Sequence, residues 1–157
     1  MNFFVWNCRG LGNPETVREL HHLVRVQAPA LVFISETKIE GSRVTDLTNR
    51  LGFAGCVPVS SSGLSGGLAL FWSHEVDVTL NNYSDQHIDV KVENVGLDCK
   101  TWRFTGFYAK ARQSERSQSW ERLRQLNAQS SLPWLCGGDF NEITDNSEYS
   151  GSHDRAE

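Results

Sequence analysis

Two short apolar runs, 2–7 and 30–35, bracket a helical pattern, and this arrangement is the tightest constraint in the 157-residue sequence. The first run holds Phe3, Phe4, Val5 and Trp6, the aromatic and β-branched content of a buried strand. It stops at the turn-rich segment 7–12. Asn13 and Pro14 then open a helix, with Asn13 as the cap and Pro14 at the first helical position, where its missing N–H costs nothing. Val17, Leu20, His21 and Val24 recur at i, i+3, i+4 and i+7 and mark one helical face. The helix closes at Ala28-Pro29, because the residue before a proline is pushed out of the helical region. The second run, 30–35, reads as another buried strand with Glu36 at its C-terminal tip. Strand, helix and strand in so short a stretch demand a crossover between parallel strands, right-handed by the chirality of the chain.

A second helix is expected over 43–51, closed by Gly52. Short strands are expected at 53–59, 68–72, 76–80, 87–93 and 102–108. Within the fourth of these, Ile88, Val90 and Val92 alternate with Asp89, Lys91 and Glu93, the period of a half-exposed strand. A Ser/Gly-rich loop fills 60–67. A third helix fits 114–127, with Trp120, Leu123 and Leu126 inward and Arg116, Arg122 and Arg124 outward. A last buried strand, 134–136, runs into Gly137 and Gly138, which let the backbone turn sharply and approach a ligand closely. Beyond residue 142 the sequence is polar and loses periodicity. With no internal repeat and no linker, one domain is expected over 1–150, followed by a polar tail, 151–157.

Composition limits the function classes. The sequence is 39% hydrophobic and 22% charged, as in a soluble globular domain. No apolar run approaches ~18 residues, so no membrane helix is expected. The N-terminus has neither a basic leader nor a small-residue cleavage site, which points to an intracellular protein. Cys8, Cys56, Cys99 and Cys136 form no Cys-x-x-Cys pair, and each lies in or beside an apolar stretch. They are expected to be reduced, buried core residues. A formal net charge of −4 excludes nucleic-acid binding by overall charge alone. Residues 100–124 nevertheless carry seven bases and two acids. This stretch reads either as a contact for an anionic backbone or as a solvated helix face.

Polar residues recur directly after buried strands: Asn7 after the first, Glu36 after the second, Asp139 and Asn141 after the last. Where strands share a direction their C-terminal ends gather at one edge, and ligand sites form outside those ends. Two carboxylates and two amides are a poor nucleophile set and a good set for a hard cation such as Mg²⁺, which takes oxygen ligands and keeps several waters. Phosphodiester hydrolysis suits that equipment. Each residue also has a plainer reading. Asn7 can cap a turn, Glu36 can be a solvated strand end, and Asp139 and Asn141 can make a turn. Tyr108 can be a half-buried strand aromatic.

As a set, four motifs are similar to those of the endonuclease/exonuclease/phosphatase superfamily. Phe4-Val5-Trp6-Asn7-Cys8-Arg9-Gly10-Leu11-Gly12 resembles its opening strand and loop, and Ser35-Glu36-Thr37-Lys38 its metal-binding motif. Thr105-Gly106-Phe107-Tyr108 resembles its central tyrosine strand, and Gly137-Gly138-Asp139-Phe140-Asn141 its Gly-Asp-x-Asn motif. The wording looks like the endonuclease domain of plant LINE-type (non-LTR) retrotransposon polyproteins. The resemblance implies an α/β fold, a four-layer sandwich of two mixed β-sheets with outer helices. It implies Mg²⁺ (or Mn²⁺) as cofactor, DNA as partner, a monomer and a nuclear location. It also implies roles: Glu36 binds the metal with Asn7 beside it, and Asp139 positions or activates the attacking water. Asn141 orients Asp139 and contacts the phosphate, while Tyr108 hydrogen-bonds the scissile phosphate. The family domain continues after Gly-Asp-x-Asn to a Ser-Asp-His motif. Ser152-His153-Asp154 has those letters in another order and is not its equivalent, so a C-terminally truncated domain with weak or no activity alone is expected.

Overall fold

The chain begins with strand β1 (Phe3–Asn7), helix α1 (Pro14–Gln27) and strand β2 (Leu31–Ser35). The Asn13 side chain accepts a hydrogen bond from the Glu15 N–H at 2.9 Å, and Pro14 occupies the first turn, as its sequence predicts. Helix α2 (Gly41–Leu51) starts two residues earlier than the periodicity predicts, because the Ser60 hydroxyl accepts from the Gly41 N–H at 2.9 Å. Strands β3 (Gly55–Val59), β4 (Leu68–Trp72), β5 (Val76–Tyr83), β6 (His87–Asn94) and β7 (Thr101–Tyr108) follow. Then come a short 3₁₀ turn, α3 (Arg116–Ala128) and β8 (Trp134–Asp139). We describe residues 1–96, 98–142 and 147 of this computed structural model; Ser152-His153-Asp154 and the tail 151–157 lie outside them.

The strands form two mixed sheets, ordered β1-β2-β4-β3 and β5-β6-β7-β8. Within them β1 runs parallel to β2 and β7 parallel to β8; the other pairings are antiparallel. Three apolar clusters fill the spaces between four layers. Leu20, Val44 and Leu47 of the first two helices pack on Val32, Ile34 and Phe71 of the first sheet. Phe33, Leu68 and Leu70 of the first sheet meet Ile88, Val90 and Phe104 of the second. Leu126 of α3 packs with Phe107 on the far side of the second sheet. Strand β2 is buried along its whole length, which explains why its sequence is continuously apolar rather than alternating. The architecture is the expected four-layer α/β sandwich of two mixed sheets.

Several side chains depart from expectation. Asp89 does not face solvent: it is 1% exposed and binds Arg103, also 1% exposed, through Nε at 2.8 Å. The helix α3 covers this face, and Arg103 also donates to the Leu126 carbonyl, so a charge pair replaces the half-exposed edge that alternation predicts. Trp120 is 41% exposed rather than inward, and stacks on Phe140 at 6.5 Å between ring centres. Arg116 is not outward: it is largely buried and paired with Glu142 at 3.1 Å. All four cysteines are free, but only Cys8 is buried; Cys99 is exposed because it sits in the turn between β6 and β7. Among the described residues no helix is long and apolar enough to cross a membrane.

Candidate active site

The two parallel strand pairs put four C-terminal ends at one rim. In the first pair Asn7 lies opposite Ser35, directly before Glu36; in the second Tyr108 lies opposite Asp139. Strand β8 continues three residues beyond its predicted end, through Gly137 and Gly138, so that Asp139 is its last residue. A Cβ on Gly138 would collide with the Phe107 carbonyl, and its φ of 158° lies outside the range that side-chain-bearing residues favour. The close approach expected of this glycine is therefore to the neighbouring strand, and it sets Asp139 level with Tyr108.

At the rim these side chains touch. Asn7 Nδ2 donates to Glu36 Oε1 at 3.3 Å and to Asp139 Oδ2 at 2.9 Å, so one amide bridges both carboxylates. The Tyr108 hydroxyl donates to Glu36 Oε1 at 2.7 Å. Asn141 holds Asp139 through its backbone N–H, which donates to Oδ1 at 2.9 Å, while its side-chain amide donates to the Ala109 carbonyl at 2.8 Å. All five sequence-predicted residues thus lie in one connected cluster. Each is partly buried, which keeps it within reach of solvent and of a ligand.

The backbone around the cluster is strained. Arg9, Glu36, Lys38 and Asn141 have φ between 47° and 54°, and Ala28 at a helix end is the other described non-glycine residue with positive φ. Such conformations cost roughly 1–2 kcal/mol each, and they collect at ligand sites because the aim of the side chain is what the strain secures. Burial, followed by the Glu36 hydrogen bond and the Glu36 and Asp139 charges, pushes the Tyr108 phenol well above its ordinary pKa. Tyr108 is accordingly a neutral hydrogen-bond donor at physiological pH. Burial likewise raises the Cys8 thiol, whose sulfur lies 3.5 Å from the Glu36 carbonyl, so it is no nucleophile.

The donor set fits a hard divalent cation. Its oxygens come from two carboxylates and from Asn7 Oδ1, which is buried and has no hydrogen-bond partner. A buried carbonyl oxygen left unpaired is costly, and a cation or its water would satisfy it. Among the described residues no group of three His, Cys, Asp or Glu side chains is gathered to cage a metal.

Sequence reasoning missed the neighbours of this cluster. Lys38 Nζ lies 3.9 Å from Glu36 Oε2. The Arg116–Glu142 pair flanks an open hollow of about 610 Å³ that Asn7, Asp139 and Asn141 also line. Gln86 and Ser119 secure the backbone after β7: Gln86 Nε2 donates to the Tyr108 carbonyl at 3.4 Å, and the Lys110 N–H donates to Ser119 Oγ at 3.0 Å. Only Lys38 had a signal, its place in the Ser35–Lys38 motif.

No curated protein matches the sequence. Many solved structures share the fold, among them the following three. The endonuclease domain of TRAS1, a telomere-specific non-LTR retrotransposon, superposes with a TM-score of 0.68 at 14% identity, over 97% of this chain and 64% of that one. TDP2 from D. rerio, complexed with a single-strand DNA product, gives 0.63 at 14% identity, over 88% and 60%. An AP endonuclease from Archaeoglobus fulgidus gives 0.62 at 17% identity, over 88% and 56%. The chain spans less than two thirds of the length of these structures. The sequence itself matches the profile of the Endonuclease/Exonuclease/phosphatase family over residues 4–156, nearly its whole length, and the chain belongs to that family.

Proposed function

We propose that this chain is the N-terminal part of a divalent-metal-dependent endonuclease that hydrolyses DNA phosphodiester bonds, as the target-nicking domain of a plant LINE-type retrotransposon. The observation that carries the reading is the single Asn7 amide bridging Glu36 and Asp139. Similarity in fold to a retrotransposon endonuclease domain supports the choice of substrate. Glu36, with the unpaired Asn7 Oδ1 beside it, would hold Mg²⁺ or Mn²⁺. When bound, the cation supplies charge neutralisation at the phosphate oxygens and leaving alkoxide. Asp139 orients and deprotonates the attacking water, and the Asn141 N–H fixes its carboxylate. Tyr108, kept neutral, donates a hydrogen bond toward the phosphate. The protein acts as a monomer on DNA in the nucleus.

No Ser-Asp-His occurs in the sequence. Loss of such a phosphate-contacting histidine costs on the order of 10²-fold, so the 157-residue chain nicks slowly by itself. A second reading is a nucleic-acid binder that does not cut. Supercoiled plasmid incubated with Mg²⁺ separates the two. Slow nicking that disappears with chelator and in Glu36→Ala and Asp139→Ala supports the endonuclease. Salt-sensitive binding without metal-dependent product supports the binder. Nicking at parental rate in both variants overturns the site, and release of phosphate from monoesters without nicking shows a phosphatase.

A further inference from the structure

The basic stretch 100–124 is partly neutralised on folding, with Arg112 and Arg122 left without an ion pair among the described residues. Arg103 is buried against Asp89, Arg116 is paired with Glu142, Lys110 lies 3.4 Å from Asp85, and Arg124 lies 3.4 Å from Glu121. A second set of positive charge lies on the opposite outer layer, between α1 and α2. A groove of about 740 Å³ there is lined by Arg18, His21, Arg43 and Arg50, with Asp46 as the acid among its lining residues. Arg43 and Arg50 make no ion pair among the described residues, and Arg18 has only an exposed contact with Glu15 at 3.9 Å. Their spacing is regular: seven residues on a helix place Arg43 and Arg50 on one face, about 10 Å apart. That suits contacts to separate phosphates of one backbone.

Two loops lead from the rim to the groove. The loop that leaves Asn7 supplies its Leu11 and Gly12, and the loop that leaves Glu36 supplies Ile39. The two loops are tied together where the Leu11 N–H donates to the Thr37 carbonyl at 2.8 Å. Arg43 Nη1 reaches over Gly12, 4.0 Å from where a Cβ would stand. We infer that the α1–α2 groove is a phosphate-backbone subsite, in which Arg43 and Arg50, with Arg18 at the margin, hold DNA that extends away from the cleavage rim. The choice of DNA as the polyanion rests on the endonuclease reading; the groove itself rests on geometry and charge.

The test is duplex DNA binding by the 157-residue chain in chelator, followed by fluorescence anisotropy across a salt series. Each phosphate contact contributes a slope of about 0.9 in log K against log salt. The double variant R43Q/R50Q is expected to lower the slope by about 2 and to weaken binding roughly tenfold at low salt, independently of DNA sequence. R43K/R50K keeps the charge and is expected to keep the slope. R122Q/R124Q, on the opposite outer layer, is expected to bind as the parent does. An unchanged slope in R43Q/R50Q, an equal loss in R122Q/R124Q, or no measurable DNA binding by the parent overturns the inference. Binding is read without catalysis, so a chain that binds with the predicted slope and never nicks defeats the endonuclease reading alone.

Discussion

Tyr108 shows how a residue's chemistry is set by its neighbours. Its hydroxyl donates to Glu36, and its raised pKa removes it as a base. Tyr108→Phe takes away one donor and leaves the ring. The expected result is a loss of roughly 10–100-fold in nicking rate, with thermal stability within ~1 kcal/mol of the parent. An equal rate in both proteins, measured on plasmid at saturating Mg²⁺, would assign the hydroxyl to structure alone. The residues of this cluster were readable because each sits at or just beyond the end of an apolar strand, in a recognisable motif. Of the strands expected to be buried, β2 is, whereas β1 and β8 are edge strands that leave Phe3, Val5 and Leu135 exposed. Arg116 was not readable. On a helical wheel it points outward, and only the return of the chain at Glu142 provides its partner. Sequence separation hides such contacts, since charge pattern along a helix carries no information about distant loops.

Among the elements, β6 and α3 carry the clearest lesson. The apolar–polar alternation of β6 places Asp89 on the face away from the inter-sheet core, and there it does lie. That face is covered by α3, so the carboxylate needs partners: Arg103, Thr105 and Asn81 all donate to it. Arg103 in turn lies 5.1 Å from the centre of the Trp134 ring. Periodicity reveals which face a residue occupies but not whether a later helix will bury that face. Removing one member of a buried pair strands the other's charge. Arg103→Met is therefore expected to cost about 3–5 kcal/mol, read from the urea midpoint. A change below ~1 kcal/mol would mean that water reaches Asp89 when its partner is lost.

For the whole molecule, the decisive fact is that the rim is assembled across two sheets. Asn7 and Glu36 come from the first, Tyr108 and Asp139 from the second, and the inter-sheet core fixes their relative position together with the Asn7–Asp139 and Tyr108–Glu36 hydrogen bonds. That core has a point of closest contact. Gly106, two residues before Tyr108, lies against the Phe33 ring, three residues before Glu36, and a Cβ at Gly106 would penetrate that ring. Neither residue shows this in its sequence: a glycine inside a strand signals close approach, but not to what. Gly106→Ala must push the sheets apart or turn Phe33 aside, at a cost of about 1–3 kcal/mol. A matched control is Leu20→Ala, which opens a cavity of about 2–5 kcal/mol in the layer between α1 and the first sheet, away from the interface. If inter-sheet spacing sets the catalytic geometry, Gly106→Ala loses far more nicking activity than Leu20→Ala at a temperature where both remain folded. Misplacing catalytic groups by about 1 Å can cost 10²-fold. Activity that follows stability alike in the two variants would place control of the rim in its loops instead, in the strained backbone at Glu36 and Asn141.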